Sequence, residues 1–215
     1  PNQTISEFAL ASGVVTNVVS SEEYRNTGFT GATMRSAQFR AADDLAARFE
    51  LARKILEENE TSVNYLYVQE LDQLGHIKGW ESTEWRNLLE QLNSLVEKLV
   101  RDLPKDVGVV VTSDHGMLDT SDAKRVELDS VLDGLEVEFV GGDTRSMYLY
   151  FKDEQEAELA LIQLERFSQF TAHSVAQLVE AGIYGEIGPQ ARERLPHAVL
   201  LMCKCASSTP HWWRN

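Results

Sequence analysis

Cysteine is almost missing from this chain: two residues in 215, Cys203 and Cys205, separated by one position. That excludes a disulfide framework and any CxxC zinc pattern, and both read as ordinary strand or loop thiols. Positive charge is also short, with 20 Lys and Arg against 34 Asp and Glu and a formal net charge of -14. A duplex-binding surface is therefore not expected, because non-specific nucleic-acid affinity rests on clustered Lys and Arg. An acidic protein can still handle anionic phosphate when metal ions supply the local positive charge. No apolar run is long enough for a membrane span, and no charged-then-apolar leader is visible. The chain opens on Pro1 without an initiator Met, which leaves the compartment open. There are no internal repeats and no low-complexity linker.

What is present is ample apolar material, 43% of residues, with 25% charged. That supports one generous domain, or one with a subdomain. GVVTNVV at 13–19 reads as a strand, followed by a polar segment and the glycine-bearing loop TGFTG at 27–31. From Ala41 to about residue 58, Leu45, Phe49, Ala52, Ile55 and Leu56 recur at helical spacing. VNYLYVQ at 63–69 is a second strand, ending at Glu70, Leu71 and Asp72. Ser82 then offers an N-cap, and Trp85, Leu88, Leu89, Leu92, Leu95, Val96 and Leu99 form one apolar stripe until Pro104.

The segment VGVVVTSDHGMLD at 107–119 reads as a strand buried on both faces that runs into Asp114, His115 and Gly116. Strand, helix and strand over 63–113 would form a right-handed βαβ unit. Beyond it, Glu136–Val140 and Ser146–Phe151 around Gly-Gly-Asp suggest a hairpin. A helix over about 153–167, a short one over 174–181 closed by Gly182, and a last strand at 198–202 follow. Residues 120–180 are the subdomain candidate. The tail CASSTPHWWRN has no periodicity, and the chain is expected to be truncated or altered there.

Asp72 and His76 lie four apart. If the chain turns helical after the second strand, both project from one face and can grip one ion. A solvent-facing i, i+4 pair is the plainer alternative. Asp114 and His115 are likewise weak alone, but both pairs fall at the carboxyl ends of strands joined by one crossover, the edge where open α/β sheets bind ligands. Two Asp and two His suit zinc or a similar divalent ion. Gly75 and Gly116 remove bulk beside the proposed ligands. Thr4, Thr16 and Thr30 are poor candidates for a nucleophile and read as ordinary hydroxyls, and His173 and His197 read as surface or structural residues.

YLYVQELDQLGHIKGWESTEW at 65–85, followed by TSDHGM at 112–117, resembles the type I phosphodiesterase/nucleotide pyrophosphatase family of the alkaline-phosphatase superfamily. Asp72, Gly75, His76, Gly79, Ser82 and Trp85 match the first motif. The resemblance implies an α/β fold with a largely parallel sheet sandwiched by helices, over 1–204, with 205–215 an atypical tail. It implies two divalent metal ions, most often zinc with manganese possible: Asp72 and His76 for one, Asp114 and His115 for the other. It implies hydrolysis of a phosphodiester or pyrophosphate bond in a small phosphate ester such as a nucleotide, through a covalent phospho-enzyme. The family's nucleophile and one Asp ligand would precede Pro1, and its last His ligand would lie beyond Lys204, since His211 lacks the glycine-flanked context. A phosphomonoesterase or phosphosugar mutase of the same superfamily is the near alternative. An inactive metal-binding α/β fragment is the other.

Overall fold

The computed structural model describes residues 2–58, 61–118, 120, 125–203 and 207–209. The chain is α/β and divides into two compact units, Pro1–Met117 and Leu118–Asn215.

The first unit opens with α1 (Ile5–Ala11), which a capping box starts: the Thr4 hydroxyl accepts from the Glu7 backbone and the Glu7 carboxylate from the Thr4 backbone. β1 (Val15–Ser20) leads through a short 3-10 turn and α2 (Gly28–Thr33) to β2 (Gln38–Ala41). α3 (Leu45–Glu58) then crosses to β3 (Ser62–Leu66). The three strands are parallel in the order β2-β1-β3. β1 is central and almost wholly buried, as a strand flanked on both edges must be. Val19 of β1 packs with Ala52 and Ile55 of α3, joined by Leu51 and Leu66.

After β3 come α4 (Glu70–Lys78) and α5 (Thr83–Asp102). Ser82 caps α5 by accepting from the Trp85 backbone, and its own hydroxyl donates to the Gly79 carbonyl. The expected stripe of α5 is half-buried at Trp85, Leu88, Leu92, Leu95, Val96 and Leu99, while Leu89 is exposed.

The segment 107–113 corrects the sequence reading, for it is not a strand. Val110 is 88% exposed and Val111 71%. β-branched residues favour extended backbone, but a strand exists only by pairing, and among the described residues β3 pairs with β1 alone. The expected βαβ unit over 63–113 is therefore absent, and the parallel crossovers of the first unit are those joining β1, β2 and β3.

The second unit begins with β4 (Arg125–Glu127) and the single turn α6 (Leu128–Val131). β5 (Val137–Asp143) and β6 (Ser146–Phe151) form the expected hairpin, though the turn falls at Thr144 and Arg145 rather than on the glycines. α7 (Glu154–Leu164), β7 (Phe170–Ser174), α8 (Val175–Glu180), α9 (Pro189–Arg192) and β8 (Ala198–Met202) complete an antiparallel sheet in the order β5-β6-β8-β7. Met147, Leu149 and Phe151 alternate onto one face of β6 and pack with Ala157, Ala160 and Leu164 of α7. Gly182, at φ +73°, follows α8 where a helix stop was expected. Of the proposed atypical tail, 205–206 and 210–215 lie outside the described residues. Its Ser207–Thr209 forms β9, parallel to β4.

Candidate metal centre

All four proposed ligands lie in the first unit. Because β1, β2 and β3 are parallel, their carboxyl ends share one edge, and α4 begins four residues after β3 ends. The sequence from Glu70 to Lys78 is helical, as the Asp72/His76 spacing required. Glu70 and Asp72 sit in its first turn and His76 and Lys78 in its last, the charge order the helix dipole favours. His76 Nε2 lies 3.4 Å from Asp72 Oδ1.

The Asp114/His115 pair comes to the same place. His115 Nε2 is 4.0 Å from Asp72 Oδ1 and 3.8 Å from Asp114 Oδ2. The His115 backbone N–H donates to Asp114 Oδ1 at 3.1 Å, orienting that carboxylate. His115 Nδ1 lies 2.9 Å from the Gly116 carbonyl, which can only accept. In the neutral ring Nδ1 therefore bears the proton, and Nε2, the nitrogen towards Asp72, carries the lone pair a metal would need.

Asp72 Oδ1 is buried and has no hydrogen-bond partner, although the side chain as a whole is half-exposed. A buried carboxylate oxygen without a donor is costly, and a cation between it and two imidazole nitrogens would satisfy it. The donor chemistry fits a divalent ion on this count. The geometry is less complete. Among the described residues no three His, Cys, Asp or Glu converge into a closed metal cage. The four side chains instead form a chain of pairwise approaches, His76 to Asp72 to His115 to Asp114.

One support flanks them. The Trp85 indole N–H donates to the Leu71 carbonyl at 2.8 Å, tying α5 to the first turn of α4. Burial, with Tyr67 and the nearby Asp114 carboxylate adding to it, raises the Tyr65 hydroxyl above its ordinary range.

Sequence reading missed a buried charge beside α4. Arg48 is fully buried on α3 and donates to Gln69 Oε1 at 2.6 Å, to the Tyr67 carbonyl at 3.1 Å and to the Glu70 carboxylate. Gln69 in turn donates to the Ser21 hydroxyl at 2.7 Å. One guanidinium thus links the segments following β1 and β3 to the start of the helix that carries Asp72. The signal was available: Arg48 stands within the apolar stripe Leu45, Phe49, Ala52 and Ile55, where an unpaired charge would not be tolerated.

The hydroxyls and histidines set aside above have other work. Thr4 caps α1, Thr16 is buried within β1, and the Thr30 backbone donates to the Thr27 hydroxyl. His197 Nδ1 accepts from the Phe151 backbone at 3.0 Å, and His173 Nε2 lies 3.0 Å from the Thr171 hydroxyl. His211 lies outside the described residues.

Comparison with known proteins adds the following. Residues 10–199 match the family model of type I phosphodiesterase/nucleotide pyrophosphatase. An uncharacterized pyrophosphatase/phosphodiesterase of Schizosaccharomyces pombe is 30% identical over 70 residues, covering 30% of this chain and 14% of that protein. Among solved structures, murine ectonucleotide pyrophosphatase/phosphodiesterase 5 superposes with a TM-score of 0.72 at 16% identity, over 97% of this chain and 56% of its own. An inactive variant of that murine protein, in complex with AMP, gives 0.71 at 15% identity over 96% and 55%. Phosphonoacetate hydrolase from Sinorhizobium meliloti 1021 gives 0.59 at 14% identity, over 100% and 62%. These likenesses show the alkaline-phosphatase-like fold, and the chain spans little more than half the length of the murine protein. With the match running through both sequence motifs and most of the chain, the protein belongs to the type I phosphodiesterase/nucleotide pyrophosphatase family.

Proposed function

We propose that this chain supplies part of a metal-dependent centre that hydrolyses phosphodiester or pyrophosphate bonds in nucleotide-like substrates. The observation that carries the reading is Asp72 Oδ1, buried without a hydrogen bond and flanked by the Nε2 atoms of His76 and His115. Asp72 and His76 would hold one divalent ion and Asp114 and His115 a second, with zinc favoured by the nitrogen and carboxylate donors and manganese the next choice. Such ions, when bound, lower the barrier by activating an attacking oxygen and stabilising a leaving one.

The chain's own residues have simpler tasks. α4 presents Asp72 and His76 from one face, and the Gly116 carbonyl keeps the His115 proton on Nδ1. The Asp114 carboxylate is oriented by the His115 backbone. The attacking Ser or Thr is proposed to lie outside these 215 residues, as the family motif order implies, and a covalent phospho-enzyme would form there. The AMP bound by the murine relative supports a nucleotide as the substrate class.

The test is metal binding by the purified chain. Zn2+ or Mn2+ at about one equivalent or more per chain is expected, falling on Asp72→Ala or His115→Ala with the far-ultraviolet dichroism retained. Less than about one equivalent, unchanged by either substitution, would refute the ligand assignment.

A further inference from the structure

We infer that Met117 is a positioning residue: its thioether fills the space left by the absent side chain of Gly75 and so holds the Asp114/His115 pair against the helix carrying Asp72 and His76. The inference rests on reading those four residues as ligands.

Three observations lead there. First, no β-ladder fixes the 107–117 segment, since it pairs with no strand among the described residues. Every side chain from 108 to 116 is exposed, and Met117 is the first after Val107 to be partly covered. Second, Gly75 is buried on α4, and a Cβ built on it would stand 2.3 Å from Met117 Sδ and 2.4 Å from Met117 Cε. The thioether therefore occupies the site of a side chain that only glycine omits. Third, the same point lies 3.4 Å from the Trp85 indole nitrogen, whose N–H is held by the Leu71 carbonyl. The socket thus has α4 as its floor and a fixed tryptophan as one wall.

The placement is economical. Gly75 is three residues from Asp72 and adjacent to His76, while Met117 is two residues from His115. A contact between Gly75 and Met117 therefore sets the separation of the two ligand pairs, which stands at 4.0 Å between His115 Nε2 and Asp72 Oδ1. Methionine suits the task, being unbranched and polarizable enough to seat in an irregular gap beside an aromatic ring.

The socket predicts an opposite sign from helix propensity. Gly to Ala within a helix ordinarily stabilises it. Here the added methyl would expel Met117 and separate the ligand pairs. Zn2+ affinity of the 215-residue chain, measured by chelator competition, and the visible spectrum of the Co2+-loaded chain are the readouts. Met117→Ala and Gly75→Ala should each weaken Zn2+ binding about 10–100-fold, as loss of support behind metal ligands does, and alter the Co2+ spectrum. Gly75→Ala introduced into the Met117→Ala chain should add less than about twofold, because the socket is already empty. Met117→Leu should recover most of the affinity.

Multiplying losses in the double variant, or full affinity in Met117→Ala, would overturn the inference. If the unsubstituted chain binds no Zn2+, the ligand reading itself fails, and the NMR resonance of the Trp85 indole N–H in the metal-free chain, beside the socket, decides it separately. That resonance should shift in either single variant; an unshifted resonance in both singles would overturn the inference.

Discussion

Arg48 brings a positive charge into a place with no exposed side-chain surface, and it is held there by Gln69, the Tyr67 carbonyl and Glu70. Burial pulls its pKa below the ordinary arginine value, with Asp44 and Asp43 acting in the opposite direction. A buried ion costs several kcal/mol in desolvation, repaid only while every partner remains in place. Arg48→Met would leave Glu70 and Gln69 facing a gap. The expected cost is about 3–5 kcal/mol of unfolding free energy, read as a lowered urea midpoint. Arg48→Lys should recover only part, since an ammonium cannot reproduce the planar fork that reaches Gln69 and Glu70 together.

α1 shows how an element can be tied to its unit by one side chain used twice. The Glu7 carboxylate accepts from the Thr4 backbone at 2.8 Å and from Arg35 at 3.0 Å and 3.1 Å. Arg35 and the Thr4 backbone hold its pKa down at about 2, against an ordinary 4.5. A depressed carboxyl stabilises the fold above pH 4.5, and that contribution fades as pH falls towards 2. The protection factors of the Phe8 and Ser12 amides should fall over that window, and Glu7→Gln, which can keep the cap but not the ion pair, should flatten the response.

The same capping box, TISE, is a helix start legible in the sequence, whereas α3, α5 and α7 are marked by periodicity and the β5–β6 hairpin by its Gly-Gly-Asp. The two glycines of α2 disfavour helix and point to a loop, yet the segment is helical and Thr27 caps it. β2 and β7, at four and five residues, are too short for alternation to stand out. At the proposed site, helical spacing singles out Asp72 and His76 as candidates, and the motif order singles out Asp114 and His115. Arg48 is marked only by its place within an apolar stripe, its partners Gln69 and Glu70 lying on another element, and the proposed role of Met117 depends on a contact with Gly75 that no local pattern encodes.

At the scale of the whole molecule the two units are unequally filled. The second has an extended buried core running from Val126 through Met147, Leu149 and Leu200 to Met202. The described core of the first gathers around Val19, Ala52 and Ile55, and the apolar stripe of α5 is only half-covered. Unequal filling means unequal resistance to opening, and a single unfolding transition is not expected.

Val109, Val110 and Val111 stand in solvent with no ladder partner among the described residues. Three adjacent exposed β-branched side chains outside any described sheet invite pairing with another chain, so the segment is expected to bear on colloidal behaviour. The mean mass read by light scattering should rise with protein concentration in the unsubstituted chain, and Val110→Lys should suppress that rise by setting a charge on the adhesive strip. Equal scattering from both would mean that the strip is shielded in solution. The backbone that carries two proposed metal ligands would thereby also set the concentration at which the protein can be kept in solution.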